Sequence, residues 1–561
     1  MRHPRTRAAL LLSLLLALLL LFGCTPKTVL KTQRTSGFTP DKPYQGTWYT
    51  MFVYSFADSN GDGIGDLRGL IDKLDYLNDG DPQTDTDLGI SGMWLLPIMP
   101  AHTFHKYDIE DYYSIDPQYG TMQDFEDLIA ACDARGISVI LDLVLNCTSN
   151  IHPWFLDALN DPDSPYRAYY RFLDDAEHPE DYDLHAAVLG YDSWYRYDRE
   201  GNSYDIDGDE GEQIACSLYA GYMPDLNYDN EATVLEVQNI AKFWLDKGVA
   251  GFRLDSAPHI FSAAEIPLSS GKTVSECNYA FWSRFRDYCR SIDPDVYLVG
   301  EVLTGNVDTR ADYMRSIGSD FDFGLIYNIR DEFKHPSSKN DLGLLIASSY
   351  KTYRNTTNDR YINAPFQTDA DVNRMAGVFD NDPRKIKLAQ MVSLTIEGLP
   401  FMYYGDEIGM LGNKSSGEIF KLSFPWAKGD PYQTTMLNYW NIYGKKADGS
   451  DYLQPFDEQN ADPNSVLSAI RRLIHIRSEN EALFAGRFET YTAAPDVVSY
   501  KMVSAHQEAV ILHNFHDAPV TFTFDTEDYG LLYMTYHDEL TVSGGTITLE
   551  PYESIILARM R

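Results

Sequence analysis

The chain has 561 residues, too many for one ordinary hydrophobic core, so two or three domains are expected. Its 44% apolar content is that of a globular protein, and its 13% aromatics, including 39 Tyr, supply flat faces for packing or for sugar rings. A formal charge of −37 repels phosphate backbones and excludes nucleic acid as a partner.

Residues 1–23 read as a targeting segment. Arg2, Arg5 and Arg7 precede an apolar run, Ala8 to Phe22, that is too short to span a bilayer. Leu21-Phe22-Gly23-Cys24 resembles a bacterial lipobox, which implies a lipid on Cys24, a membrane as partner and an extracytoplasmic, cell-surface location. A plain secretory signal or an uncleaved anchor is the alternative. Residues 24–45 are polar and read as a tether. Five cysteines remain, and an odd number allows no closed disulfide framework to be read.

From Thr47 onward strand-like runs alternate with amphipathic stretches. The runs are Trp48–Phe56, Ile90–Ile98, Ile137–Leu145, Val249–Leu254, Val296–Val302, Phe323–Tyr327, Tyr361–Phe366 and Leu399–Tyr404. Eight strands alternating with helices predict an α/β fold, a (β/α)8 TIM barrel. An open doubly wound sheet is the alternative, but no glycine-rich nucleotide turn is present. Residues 147–225 lack clear periodicity and are too long for a simple connection, so they are expected to form an inserted subdomain after strand 3. The barrel is then split into residues 46–146 and 226–487. Residues 488–561 show short alternating strands (VVSYKMV, EAVILHN, VTFTF, TITLEP, SIILARM) that predict a C-terminal antiparallel β-sandwich.

Ser55–Asp66 reads SFADSNGDGIGD. Asp58, Asn60 and Asp62 at alternate positions, with Asp66 closing the run, have the oxygen-ligand spacing of a Ca2+ loop, to which the Ile64 carbonyl adds a further oxygen. The bidentate Glu of an EF-hand is absent, and an acidic surface turn without metal is the alternative. Asp205, Asp207 and Asp209 are read as a solvated loop.

In GVAGFRLD, Arg253 and Asp255 stand two residues apart and leave one face of a strand end. An Arg beside an Asp favours the ionised carboxylate that a nucleophile requires. A structural ion pair is the bland reading. Glu301 in YLVGEV, Asp371 in PFQTDADVNR and Asp142 in VILDLVLN are further carboxylates expected at strand ends. Retaining glycoside hydrolysis needs one carboxylate as nucleophile and one carboxylic acid as proton donor, and a donor in an apolar strand end has its pKa raised by desolvation.

DLVLN, GFRLD, VGEV and FQTDAD, in that order, resemble the conserved regions of the family 13 glycoside hydrolases, the α-amylase superfamily. Met223-Pro224-Asp225-Leu226-Asn227 resembles a fifth region, that of the subgroup intermediate between oligo-1,6-glucosidases and neopullulanases. The resemblance covers residues 45–561. It implies Asp255 as nucleophile, Glu301 as general acid/base and Asp371 as the carboxylate that holds the sugar hydroxyls. It further implies that Arg253 orients Asp255, that Tyr107 stacks under the sugar, that His105 contacts the same sugar, and that Asp142 belongs to the substrate-binding set. Asp58, Asn60, Asp62, Ile64 and Asp66 match the calcium loop of related members. α-Glucan oligosaccharides would thread between the barrel mouth and the inserted subdomain.

Four positions depart from the family pattern. Cys147 and Ala370 stand where histidines bind the cleavage-site sugar, and Pro258 stands where a Lys is frequent. Each lost donor would cost roughly 2–4 kcal/mol of barrier. Asp369 in place of Asn adds a charge two residues from Asp371, and like charges raise a neighbour's pKa. The sequence therefore reads as a retaining α-glycosidase acting on α-glucosidic bonds in starch-derived saccharides. A catalytically weakened glucan-binding lipoprotein and a transglycosylase are the alternatives.

Overall fold

The structure, a computed structural model, describes residues 27–33, 38–40, 42–188, 191–267, 270–412, 421–443, 445–446 and 448–561. The expected signal segment 1–23 and Cys24 lie outside the described residues. Among these no helix is long and apolar enough to cross a membrane.

Eight short strands form one parallel sheet: β1 Trp48–Met51, β2 Gly92–Leu95, β3 Ser138–Leu143, β4 Gly251–Leu254, β5 Tyr297–Gly300, β6 Ser319–Phe321, β7 Ile362–Ala364 and β8 Phe401–Tyr403. Each pairs in parallel with its sequence neighbour from β1 to β7, and β8 returns to pair with β1. At the remaining seam the Leu399 and Phe401 N–H groups donate to the Asn363 and Pro365 carbonyls at 2.8 and 2.9 Å. The sheet thus closes into a nearly complete barrel. Its strands are buried along almost their whole length, as a parallel sheet covered by helices requires.

Aromatic rings fill the interior. Trp48 meets Tyr297 edge-on at 5.0 Å, and Phe321 meets Trp94 at 5.3 Å and Phe401 at 5.0 Å. Gly92 makes room for this packing, since a Cβ there would stand 2.1 Å from the Trp48 indole. Gly251 begins β4 for a similar reason, because a Cβ would lie 1.8 Å from the Tyr297 carbonyl.

All the strands are shorter than the runs expected, and two runs also differ in kind. The run Trp48–Phe56 is strand only to Met51, and Val53–Phe56 is helical. The sixth strand is Ser319–Phe321, whereas Phe323–Lys334, expected to open as a strand, is a helix. Asp322 caps that helix by accepting the Leu325 N–H at 3.0 Å. A short apolar run does not distinguish the two states, and the capping carboxylate decides.

Within residues 147–225 a helix, Pro153–Asn160, packs beside a three-stranded sheet in which Trp194–Tyr197 is central to Ser203–Tyr204 and Gln213–Cys216. The C-terminal part is a sandwich of a five-stranded and a four-stranded antiparallel sheet around an apolar layer that includes Val510, Leu512, Leu531 and Leu549. The fourth strand of the smaller sheet comes from the far end of the chain. Lys27–Lys31, within the stretch expected to be a tether, pairs antiparallel with Glu539–Ser543. All five cysteines in the described residues are free.

Candidate active site

The carboxyl ends of β3, β4 and β5 build the site. Ladder register sets Arg253 of β4 directly between Asp142 of β3 and Val299 of β5. Its guanidinium is 2% exposed and holds three acids at once. Nη1 lies 2.8 Å from Asp142 Oδ1 and also contacts Asp255 Oδ1, and Nη2 lies 2.7 Å from Glu301 Oε2. The guanidinium carbon lies 5.0 Å from the Trp94 ring and 5.9 Å from the Tyr107 ring. Tyr107 donates its hydroxyl to Asp142 Oδ2 at 2.9 Å.

Exposure separates the acids. Asp142 is sealed at 0%, while the side chains of Asp255 and Glu301 keep 12% and 11% open. Asp371 is exposed on the loop after β7, and its charge acts on both Asp255 and Glu301. The three candidate catalytic carboxylates therefore share one surface, with Asp142 and Arg253 beneath it. His105 is half-buried next to Tyr107. Its Nδ1 accepts the Tyr107 N–H at 3.2 Å, which assigns the ring proton to Nε2.

One cation for three buried anions leaves the site short of positive charge. Burial pushes Asp142 up to about 6 and Asp255 and Glu301 to about 7; Arg253 opposes each shift and the neighbouring acids add to it. For Glu301 the expected rise is present. For Asp255 the expectation that Arg253 holds it ionised is outweighed by burial, so Asp255 and Glu301 share protons near neutrality.

One contributor, Ser256, was not foreseen, and Asp369 is held in a way the sequence did not show. Ser256, directly after Asp255, adopts a left-handed conformation (φ 41°, ψ 48°), and its N–H donates to Glu301 Oε2 at 2.9 Å. Asp369 is buried and accepts the N–H groups of Asp371 and Val372 at 2.7 and 3.0 Å. Burial first, then the Asp371 and Glu301 charges, raise it to about 7. The Ser256 conformation has no residue-type signal; the Asp369 charge was legible, but its burial and hydrogen bonds arise only on folding. Cys147 and Ala370 are buried, and the Cys147 carbonyl accepts the Tyr112 hydroxyl at 2.7 Å. Of the subdomain aromatics, Trp194 and Tyr170 are core, and Trp154 stacks between Tyr112 and Tyr166.

The acidic loop is braced by its own backbone. Asp58 accepts the Gly61 and Gly63 N–H groups at 2.7 Å each, Asn60 that of Asp62 at 2.9 Å, and Asp62 that of Ile64 at 2.8 Å. Asp66 accepts the Ser59 N–H at 2.8 Å and caps the following helix through Gly69 at 2.7 Å. Asp58 and Asp66 are buried at 3% and 5% and, among the described residues, form no ion pair. An all-oxygen set with two uncompensated buried carboxylates suits a hard cation in kind. The three acids do not, however, bring their oxygens within 4.8 Å of one another. The run Asp205–Asp209 is exposed at all three acids, as expected.

Two cavities elsewhere, one of about 570 Å³ beside Thr32 and His475 and one of about 730 Å³ at the opposite barrel end beside Ser91 and Ala250, contain none of these carboxylates. Converging acids, not volume, mark the site.

The family model described as "Alpha amylase, catalytic domain" matches residues 50–486, and that described as "Alpha-amylase SusG C-terminal domain" matches residues 497–556. "Alpha-amylase 3" of Dictyoglomus thermophilum is 35% identical over 514 residues, covering 91% of this chain and 92% of the relative. "4-alpha-glucanotransferase" of Thermotoga maritima is 28% identical, covering 84% and 96%. The crystal structure of α-amylase from H. orenii superposes with a TM-score of 0.79 at 35% identity, covering 92% of this chain and all of the other.

Proposed function

Since the chain belongs to the α-amylase family, whose enzymes are retaining glycosidases, we propose that Asp255, Glu301 and Asp371 carry out a double displacement on α-glucosidic bonds of starch-derived saccharides. Asp255 attacks the anomeric carbon while Glu301 protonates the departing glycosidic oxygen. Glu301, now ionised, then takes a proton from water, which attacks the covalent intermediate and releases Asp255. Buried Arg253 neutralises Asp255 when it leaves. Asp371, open to the groove, holds the sugar hydroxyls, and the half-buried Tyr107 and His105 line the same subsite. Asp142, sealed from solvent, orients Arg253 and Tyr107 instead of touching sugar.

The observation that carries this reading is one guanidinium within 2.8 Å of Asp142 and Glu301 and in contact with Asp255, at the carboxyl end of a parallel barrel. Cys147 and Ala370 supply no imidazole to the cleavage-site sugar, so turnover is expected to be slow relative to members that carry those histidines. Incubation with maltoheptaose tests the reading. Shorter maltooligosaccharides are expected from the wild type, and Asp255→Asn is expected to lower kcat by about 10³-fold or more while the fold is retained. Binding without products would support a glucan-binding protein instead. Chains longer than maltoheptaose would support a transglycosylase, a reading favoured by the 4-α-glucanotransferase among the relatives.

Ca2+ is proposed at Asp58, Asn60, Asp62, Asp66 and the Ile64 carbonyl, where it would brace the loop between β1 and its helix. The subgroup between oligo-1,6-glucosidases and neopullulanases, and the lipid on Cys24 that would hold the enzyme at the cell surface, are proposed on the motifs alone.

A further inference from the structure

The inserted subdomain meets the barrel over two carboxyls and a thiol. Cys216 ends the strand Gln213–Cys216, Asp225 lies where the subdomain rejoins the barrel, and Glu265 stands in the loop after β4 that begins with Asp255. The three are 1%, 2% and 1% exposed. One ligand atom from each lies within 4.8 Å of the other two, and Cys216 Sγ is 3.3 Å from Asp225 Oδ2.

Their present partners do not balance their charge. Asp225 accepts the Leu218 N–H at 3.2 and 3.1 Å, and Glu265 accepts the Ser262 N–H at 2.8 Å. Arg171, the cation whose charge acts on both acids, is engaged by Asn227 at 2.8 Å and Asp229 at 3.0 Å. Among the described residues neither Asp225 nor Glu265 forms an ion pair. Ser262, whose N–H serves Glu265, has a buried hydroxyl beside the same carboxyl. Two carboxyls and a thiol sealed together are costly unless protons or a cation compensate them.

We propose that Cys216, Asp225 and Glu265 bind one divalent ion of the zinc class, which ties the subdomain to the loop carrying Asp255. A thiolate ligand disfavours Ca2+ and Mg2+, while mixed sulfur and oxygen ligands suit zinc. Tetrahedral zinc, with sulfur at about 2.3 Å and oxygen at about 2.1 Å, sets those ligands about 3.6 Å apart, close to the separation here. The Ser262 hydroxyl or a water completes the fourth position. Binding expels the thiol proton, and any proton held by the carboxyls, to solvent. This site is separate from the acidic loop and from the sugar site.

Cobalt titration of the chelator-treated full chain tests the proposal. About one equivalent is expected to bind with a sulfur-to-cobalt charge-transfer band and tetrahedral visible bands, both erased by zinc. Cys216→Ser is expected to lose the charge-transfer band, and Glu265→Gln to weaken binding about tenfold or more. Ca2+ in the acidic loop produces no sulfur band, so the two sites are distinguishable. No charge-transfer band in the wild type, or an unchanged band in Cys216→Ser, would overturn the assignment. If Cys216→Ser does not fold, the wild-type band and the Glu265→Gln affinity still decide it.

Discussion

One guanidinium serving three buried carboxyls makes protons a structural part of this active site. Asp369 adds a fourth carboxyl that turns its oxygen to two backbone N–H groups. An Asn would accept those same bonds without charge. The folded pKa of Asp369 is raised from 3.8 to about 7, so the stability it allows is fully present below its unfolded pKa and is lost as pH rises toward 7. Asp369→Asn is therefore expected to gain stability over the wild type as pH rises from about 4 to 7, by at most about 4 kcal/mol. Melting curves across that range check it, and a difference independent of pH would exclude the charge as the cause. Removing that anion is also expected to shift the pH–kcat/KM profile to lower pH, because Glu301 loses a repulsive neighbour. Arg253, Asp255 and Glu301 were legible in the chain because spacing along a strand determines which face a side chain leaves. The left-handed Ser256 and the proton distribution were not, because they depend on backbone angles and burial that arise only on folding.

Elements were legible where periodicity was long and failed where caps decided. The barrel strands with β-branched runs, such as Ser138–Leu143, stand close to their expected places. Phe323–Tyr327 does not, because Asp322 caps a helix there. Asp322 also binds Arg310 at 2.5 Å and Asn363 at 3.0 Å, so the same carboxylate fixes β6, β7 and the helix together. The acidic loop has the right oxygens in the right order, and local N–H groups already bind several of them. If Ca2+ takes over part of that work, adding Ca2+ raises the melting temperature of the wild type and raises that of Asp62→Ala much less. An equal response in both would remove Asp62 from the ligand set.

At the scale of the whole molecule, one acid among several contacts binds groups of both barrel and sandwich. Glu397 binds Arg354 at 2.5 Å and Tyr361 at 2.7 Å on the barrel side, and Arg487 at 2.7 Å and the Phe488 N–H at 2.8 Å on the sandwich side. Glu397→Ala leaves two guanidinium groups without their shared partner and is expected to cost about 1–3 kcal/mol. Calorimetry checks this, with a lowered transition expected and kcat at 25 °C retained; an unchanged transition would show that the junction does not depend on it. The sandwich was legible as alternating strands, but its outermost strand was not, because Lys27–Lys31 is polar and its partner lies more than 500 residues away. If Cys24 carries the proposed lipid, that strand limits how far the protein can stray from the bilayer. With Lys27 stitched to Ser543, a lipid on Cys24 leaves a leash of about 10 Å. The sandwich would then rest against the bilayer like a foot, and saccharides would reach the barrel from the side or from above.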